Sequence, residues 1–465
     1  MRYLPNSPAD RKAMLHAVGA ASAEELFAQI PAELRLKGKL QLPGPLSEAE
    51  ILDFFRQAAA ESSRDYASFL GAGVYTHYRP VVIDALLSRG EFLTAYTPYQ
   101  AEISQGILQA LFEFQTLITQ LTGMEVANAS LYDGSTATNE AALMAMRLTR
   151  RERVIVARTL HPHYREVVRT YTRNLGAKVE EAPYSASQEA SNSSSGSRPG
   201  QLDLEWLDRN TGHDTAAVIV QSPNFFGLAE PAREIARIAH QAGALFIVAI
   251  SEPLSLAVMK PPENADIVCG EAQSFGVPVA FGGPFAGFMA TREKFIRQMP
   301  GRLVGETTDS EGRRGFVLTL VTREQFIRRE KATSNICTSQ SLCALAATIY
   351  MSLLGKSGLR TLAEHNLAKA RYAASRLASA PAVTIPFTAP FFNEFVVRIP
   401  GNAAAWLDAL REEKIIGGLD LSAYYPELEN HLLVAATECV RRETIDKMAA
   451  IYHHLASSRE YAARF

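Results

Sequence analysis

The sequence predicts an α/β protein built around a mostly parallel sheet, with a smaller α+β unit towards its C-terminal end. Three observations carry that expectation. Between residues 153 and 269, apolar runs alternate with segments of helical periodicity, and this alternation marks βαβ units. Most of the runs are apolar, as expected of a parallel sheet covered by helices on both faces. The chain has 465 residues, 47% of them hydrophobic, enough to bury a large core.

Taken in order, residues 1–65 read as an arm of short helices: Ser7 before Pro8, then capping boxes at Ser22 with Glu25 and Ser47 with Glu50. The arm has too little apolar surface to fold alone. Ile107, Leu111, Phe114, Ile118 and Leu121 then fall on one face of a long helix that Gly123 is placed to end. Strands follow at 153–157, at "AKVEEAP", at 216–222, at 244–250 and at "ADIVC", with helices between them. This large unit is expected to span residues 66–335. Its one interruption, 185–200, is Ser/Gly-rich and polar, and reads as a mobile surface loop. Residues 336–465 are expected to form the small unit: a helix over "GLRTLAEHNLAKARYAASRLA", strands "EFVVRI" and "LLVAA", and two further helices.

Composition removes several function classes. Net charge is −2, from 47 basic and 49 acidic residues without a basic block, so neither a nucleic-acid surface nor a polybasic membrane anchor is indicated. Cys269, Cys337, Cys343 and Cys439 include no CxxC pair, which argues against a disulfide framework and a zinc site and fits a reducing cytoplasm. The N-terminal segment lacks the apolar centre of a signal peptide, and no apolar run approaches the roughly 18 residues that cross a bilayer.

Ligands of open parallel sheets bind at the carboxyl ends of the strands. Four turns there are informative. In "DGSTATNEAA", Asp133, Gly134, Ser135 and Thr136 open a helix whose free N–H groups either hold a phosphate or are simply capped. In "TLHPHY", His161 is placed either to stack on an aromatic cofactor or to serve the structure. The third turn, "VAISEPLS", follows a strand ending at Ala249, and the fourth is "GEAQSFGVPVAFGGPFAG".

With the third and fourth turns in place, the order of elements and the run "FGGPFAGFMA" resemble the large domain of pyridoxal-phosphate enzymes of the aspartate-aminotransferase fold, fold type I. In that family the strand end carries an Asp for the pyridine nitrogen, and the later position carries the Schiff-base Lys. Ala249 and Gln273 stand in those places, and neither side chain can do that chemistry. The stretches "GAGVYTHYRPVVIDALLSRGEFLTAYTPYQAEISQG", "LTGMEVANASLYDGSTATNEAALMA", "VQSPNFFG" and "GVPVAFGGPFAGFMATREKFIRQMPGRLVG" are similar to the glycine-cleavage P-protein, glycine dehydrogenase (decarboxylating). Narrower still, they resemble subunit 1 of its two-subunit bacterial form.

That resemblance implies a cytoplasmic heterotetramer, two copies of this chain with two of a homologous subunit 2 that holds the pyridoxal phosphate. In the assembly glycine is decarboxylated and its aminomethyl group passes to the lipoyl arm of the H-protein. This chain is then expected to bind no cofactor covalently and to be inactive alone. Ser135, Thr136, His161 and Gln273 would line a vestigial pocket. His77, Tyr96, Tyr99 and Gln100, polar or amphipathic groups in an apolar stretch, would either complete the partner's site or pack an ordinary subunit interface. A self-sufficient pyridoxal-phosphate enzyme and a pure scaffold are the other readings.

Overall fold

A computed structural model describes residues 5–62, 65–186, 196–280 and 282–458. It divides into two compact units, residues 1–65 and 66–465. In the first, Ser7 caps the helix Pro8–Ala17 with Asp10 completing a capping box, and Ser47 does the same with Glu50 for the helix Glu48–Ala60. Ser22 accepts from Glu25 N, at the head of a 3-10 turn. Neither helix has a buried residue, and Phe27, Phe54 and Phe55 are exposed.

The second unit is built on a seven-stranded sheet: β1 (Val126–Ala127), β2 (Arg153–Ala157), β3 (Lys178–Ala182), β4 (Thr215–Gln221), β5 (Leu245–Ile250), β6 (Ile267–Glu271) and β7 (Gly287–Thr291). Its order is β1-β7-β6-β5-β4-β2-β3, with only β7 antiparallel to its neighbours. The five strands β2 to β6 stand within two residues of where the sequence placed them. Alternate side chains serve two cores: Ile247, Ala249, Ile267 and Cys269 meet Ala137, Ala141 and Met144 of the helix Gly134–Thr149. Val248, Ile250 and Val268 meet Leu111 and Phe114 of the helix Gln105–Thr122, which Gly123 ends in the left-handed conformation.

The boundary expected at 335/336 falls just before a helix that both cores share. Ser341–Leu377 is kinked at Gly355, whose φ of 58° and ψ of −175° are not helical. Before the kink it packs Ala344, Ala347 and Tyr350 into the main core, and near its end Ala370 and Leu377 into a second one. This is the one helix among the described residues that is long and apolar enough to cross a membrane, and it corrects the expectation that no such run exists. That second core, with Trp406, Phe395 and Tyr452, underlies a small antiparallel sheet of Glu394–Arg398, His431–Ala435 and Leu419–Asp420. The Ser-rich loop expected at 185–200 falls largely outside the described residues, which omit 187–195.

Candidate functional site

At the carboxyl ends of the strands lies a cavity of about 540 Å³, lined by Asp133, Ser135, His161, Tyr164, Phe225 and Glu271 among others. Its floor is the start of the helix Gly134–Thr149. There Asp133 accepts from Thr136 N and Thr136 Oγ1, both at 2.9 Å, and also from Ser135 Oγ. Glu271, the last residue of β6, crosses to the same helix end and accepts from Gly134 N at 2.9 Å. Its other oxygen accepts from Gln273 N at 3.0 Å and Ala286 N at 2.8 Å. The orphan N–H groups and the positive helix end therefore already face two carboxylates of the chain itself. Burial pushes Glu271 up to about 7. Gly134 has no room for a side chain, since a Cβ would collide with the Tyr164 hydroxyl.

His161 is equally committed. Its Nε2 donates to Ala72 O at 2.9 Å and its Nδ1 accepts from His163 N, while its ring stacks on Tyr164 at 4.9 Å and meets the edge of Phe225. Burial pulls its pKa down to about 4, so the imidazole is neutral. The faces on which a cofactor ring would lie are occupied by protein. Gln273 is buried, and its Nε2 donates to Val277 O at 2.7 Å within its own loop. Ala249 is sealed in β5 beside Cys269.

Of the residues expected to reach a partner, the structure brings Tyr96, Tyr99 and Gln100 together and separates His77 from them. The three line an open cleft of about 960 Å³ with Arg89, Phe92 and Ile103. Tyr96 is 84% exposed and Tyr99 53%. His77 lies elsewhere and points inward. Its Nε2 is 2.9 Å from Glu252 and its Nδ1 is 2.9 Å from Glu438, with a side chain 3% exposed. Burial alone would lower its pKa, but the two carboxylates outweigh burial and raise it to about 10. His77 is thus a buried imidazolium that ties the segment before the cleft to the end of β5 and to the loop after His431–Ala435. Both ring nitrogens are used, which corrects the expectation that it reaches outward.

Sequence reasoning passed over Glu271 and Arg302. Each left a signal: an ionisable group within an apolar run, "ADIVCGE" and "PGRLVG", is costly to bury unless something pairs it.

The sequence profile described as glycine cleavage system P-protein matches residues 1–452. The chain belongs to the glycine cleavage system P-protein family. A Solibacter usitatus protein named probable glycine dehydrogenase (decarboxylating) subunit 1 is 54% identical over 451 residues, 97% of each chain. One of the same name from Desulfitobacterium hafniense is 49% identical over 97% of this chain and 99% of its own. Among solved structures, glycine decarboxylase (P-protein) of the glycine cleavage system, in inhibitor-bound form, superposes with a TM-score of 0.82 at 44% identity, covering 98% of this chain and all of that one. Sphingosine-1-phosphate lyase of Burkholderia pseudomallei, at 16% identity, covers 93% of this chain and 95% of its own with a TM-score of 0.64, a likeness of fold alone.

The P-protein fold is that of pyridoxal-phosphate enzymes of fold type I. Such a cofactor needs an amine to link to, a carboxylate opposite its pyridine nitrogen, and free donors for its phosphate. The family resemblance leads one to expect the first two at Gln273 and Ala249, which are an amide and a methyl, both buried. For the third, Asp133 and Glu271 have taken the Gly134 and Thr136 N–H groups, and among the described residues no lysine or arginine lines the cavity. The residues present do not fit the cofactor.

Proposed function

We propose that this chain is the silent subunit of a two-subunit P-protein. It assembles in the cytoplasm, two copies with two of a homologous subunit 2 that carries the pyridoxal-phosphate lysine. Together they decarboxylate glycine and pass its aminomethyl group to the lipoyl arm of the H-protein. Two subunit 1 relatives matched end to end support the partnership. The observation that carries the reading is the contrast between a strand-end cavity closed by its own carboxylates and a cleft whose tyrosines are open.

In this reading Tyr96, Tyr99 and Gln100 complete the partner's site, because exposed hydroxyl and amide groups can hydrogen-bond to a polar ligand and so orient it. Ser135, Thr136, His161 and Gln273 hold the silent cavity in shape. His77 fixes the segment that leads to the cleft.

Co-purification with subunit 2 and an assay of glycine-dependent CO₂ release test the proposal. The chain alone should show neither activity nor a visible cofactor band, and the pair should show both. Tyr96→Phe or Tyr99→Phe should leave assembly intact and lower turnover, since a hydrogen bond to a charged group is worth about 2–3 kcal/mol, tens- to about a hundredfold in rate. Full turnover in both variants would leave this chain a scaffold.

A further inference from the structure

Tyr99 is gripped from behind by an arginine that nothing in the proposed function uses. Arg302 sits at the foot of the strand Leu303–Thr308 and is 3% exposed. One of its η nitrogens donates to the Tyr99 hydroxyl oxygen at 3.0 Å and to Cys337 O at 2.7 Å. The other donates to Thr338 Oγ1 at 2.9 Å. The guanidinium carbon is 5.4 Å from the centre of the Tyr99 ring, and Phe326 meets that ring edge-on at 5.5 Å. Glu324 is 3.9 Å from Nε, which has no hydrogen-bond partner of its own.

A guanidinium donates and never accepts. The Tyr99 oxygen must therefore be the acceptor in this pair, and its own proton is left for another group. Tyr99 is half exposed and lines the cleft, so an acceptor for that proton can be presented from the open side. A hydroxyl that accepts from a buried cation is polarised towards donation. Its best acceptor is an oxygen carrying negative charge.

We infer that Arg302 is a positioning residue, which aims and polarises the Tyr99 hydroxyl as a donor to an anionic oxygen, carboxylate or phosphate, presented by the partner's site. The inference rests on the reading in which this cleft completes that site. Arginine suits the task because its rigid fork holds Tyr99, Cys337 and Thr338 together, whereas a lysine offers one point of charge on a flexible stem.

The test is a double-mutant cycle on the assembled pair, with Arg302→Lys, Tyr99→Phe and both together. Arg302→Lys should lower glycine-dependent CO₂ release about tenfold, and Tyr99→Phe tens- to about a hundredfold. The double variant should match Tyr99→Phe within about twofold, because Arg302 acts through the hydroxyl. If the acceptor is the substrate carboxylate, the glycine kinetics change while cofactor absorbance stays full. If it is the cofactor phosphate, cofactor content falls as well. Equal losses from Arg302→Lys with and without the Tyr99 hydroxyl would show a merely structural arginine and overturn the inference. Should Arg302→Lys fail to assemble, Tyr99→Phe decides alone, and full turnover there overturns it. A wild-type pair that releases no CO₂ from glycine sinks the underlying reading instead.

Discussion

The strand-end cavity and the tyrosine cleft are both built at the start of a helix beside tyrosines and short turns, yet their polar groups are in opposite states. In the cavity, the helix Gly134–Thr149 has Asp133 as a side-chain cap and Glu271 as a second anion, and His161 has a partner on each nitrogen. In the cleft, the helix Gln105–Thr122 receives no side-chain cap from Ser104, and Gln105 turns away to Ala101 and Phe316. Tyr96 stands in solvent, and Tyr99, half exposed, is held by Arg302 at its oxygen and by Phe326 at its ring. Donors already paired within the chain, as at this helix end and at His161, are not free to bind a ligand. Volume, about 540 Å³ for the cavity and about 960 Å³ for the cleft, says nothing of this difference.

The largest test of this contrast is His77, which the structure assigns to the closed side. His77→Leu leaves Glu252 and Glu438 without their buried cation, and removing one partner of such a cluster costs about 3–5 kcal/mol. Urea denaturation at neutral pH measures it, and an unchanged midpoint would break the assignment. Next comes Gly134→Ala, where the new methyl collides with Tyr164 and crowds Glu271. A loss of about 1–3 kcal/mol is expected, as for other overpacked sites.

Glu271→Gln sharpens the comparison through pH. Burial raises the Glu271 pKa to about 7, so the folded chain keeps a proton that the unfolded chain releases above about pH 4.5. Stability therefore falls as pH rises through that window and levels off above 7. Glu230 and Glu394 are raised to about 7 by the same cause, so the variant should show a shallower decline between pH 5 and 7, by at most about 1.4 kcal/mol per pH unit. Denaturation midpoints at the two pH values read it directly, and parallel slopes would place Glu271 in a wetter site. The smallest effect is Gly106→Ala on the cleft side. No atom lies within 4 Å of the added methyl, and stability should stay within about 0.5 kcal/mol or rise slightly, as for alanine in a helix.

The parallel strands Arg153–Ala157, Thr215–Gln221, Leu245–Ile250 and Ile267–Glu271 were legible because strands covered on both faces are largely apolar, and each expected run matched its strand within two residues. The antiparallel strand β7 was not. The run "FGGPFAGFMA" has Gly-Gly-Pro just before the strand and Gly287 as its first residue, and the strand forms by pairing with β6 and β1. The hairpin Leu303–Thr308 with Arg314–Thr319 was missed for a similar reason. Nothing local marks where a strand's partner lies.

By itself the sequence determined the fold class and the family likeness, because these depend on periodicity and on which residue types stand in which order. Only the tertiary structure decided what each polar residue does. His77 meets Glu438 across 361 residues and Glu252 across 175, and Arg302 meets Tyr99 across 203. A side chain becomes a clamp, a plug or a donor according to the partners that folding brings within about 3 Å of it, and a hydrogen bond or buried charge counts only at that range.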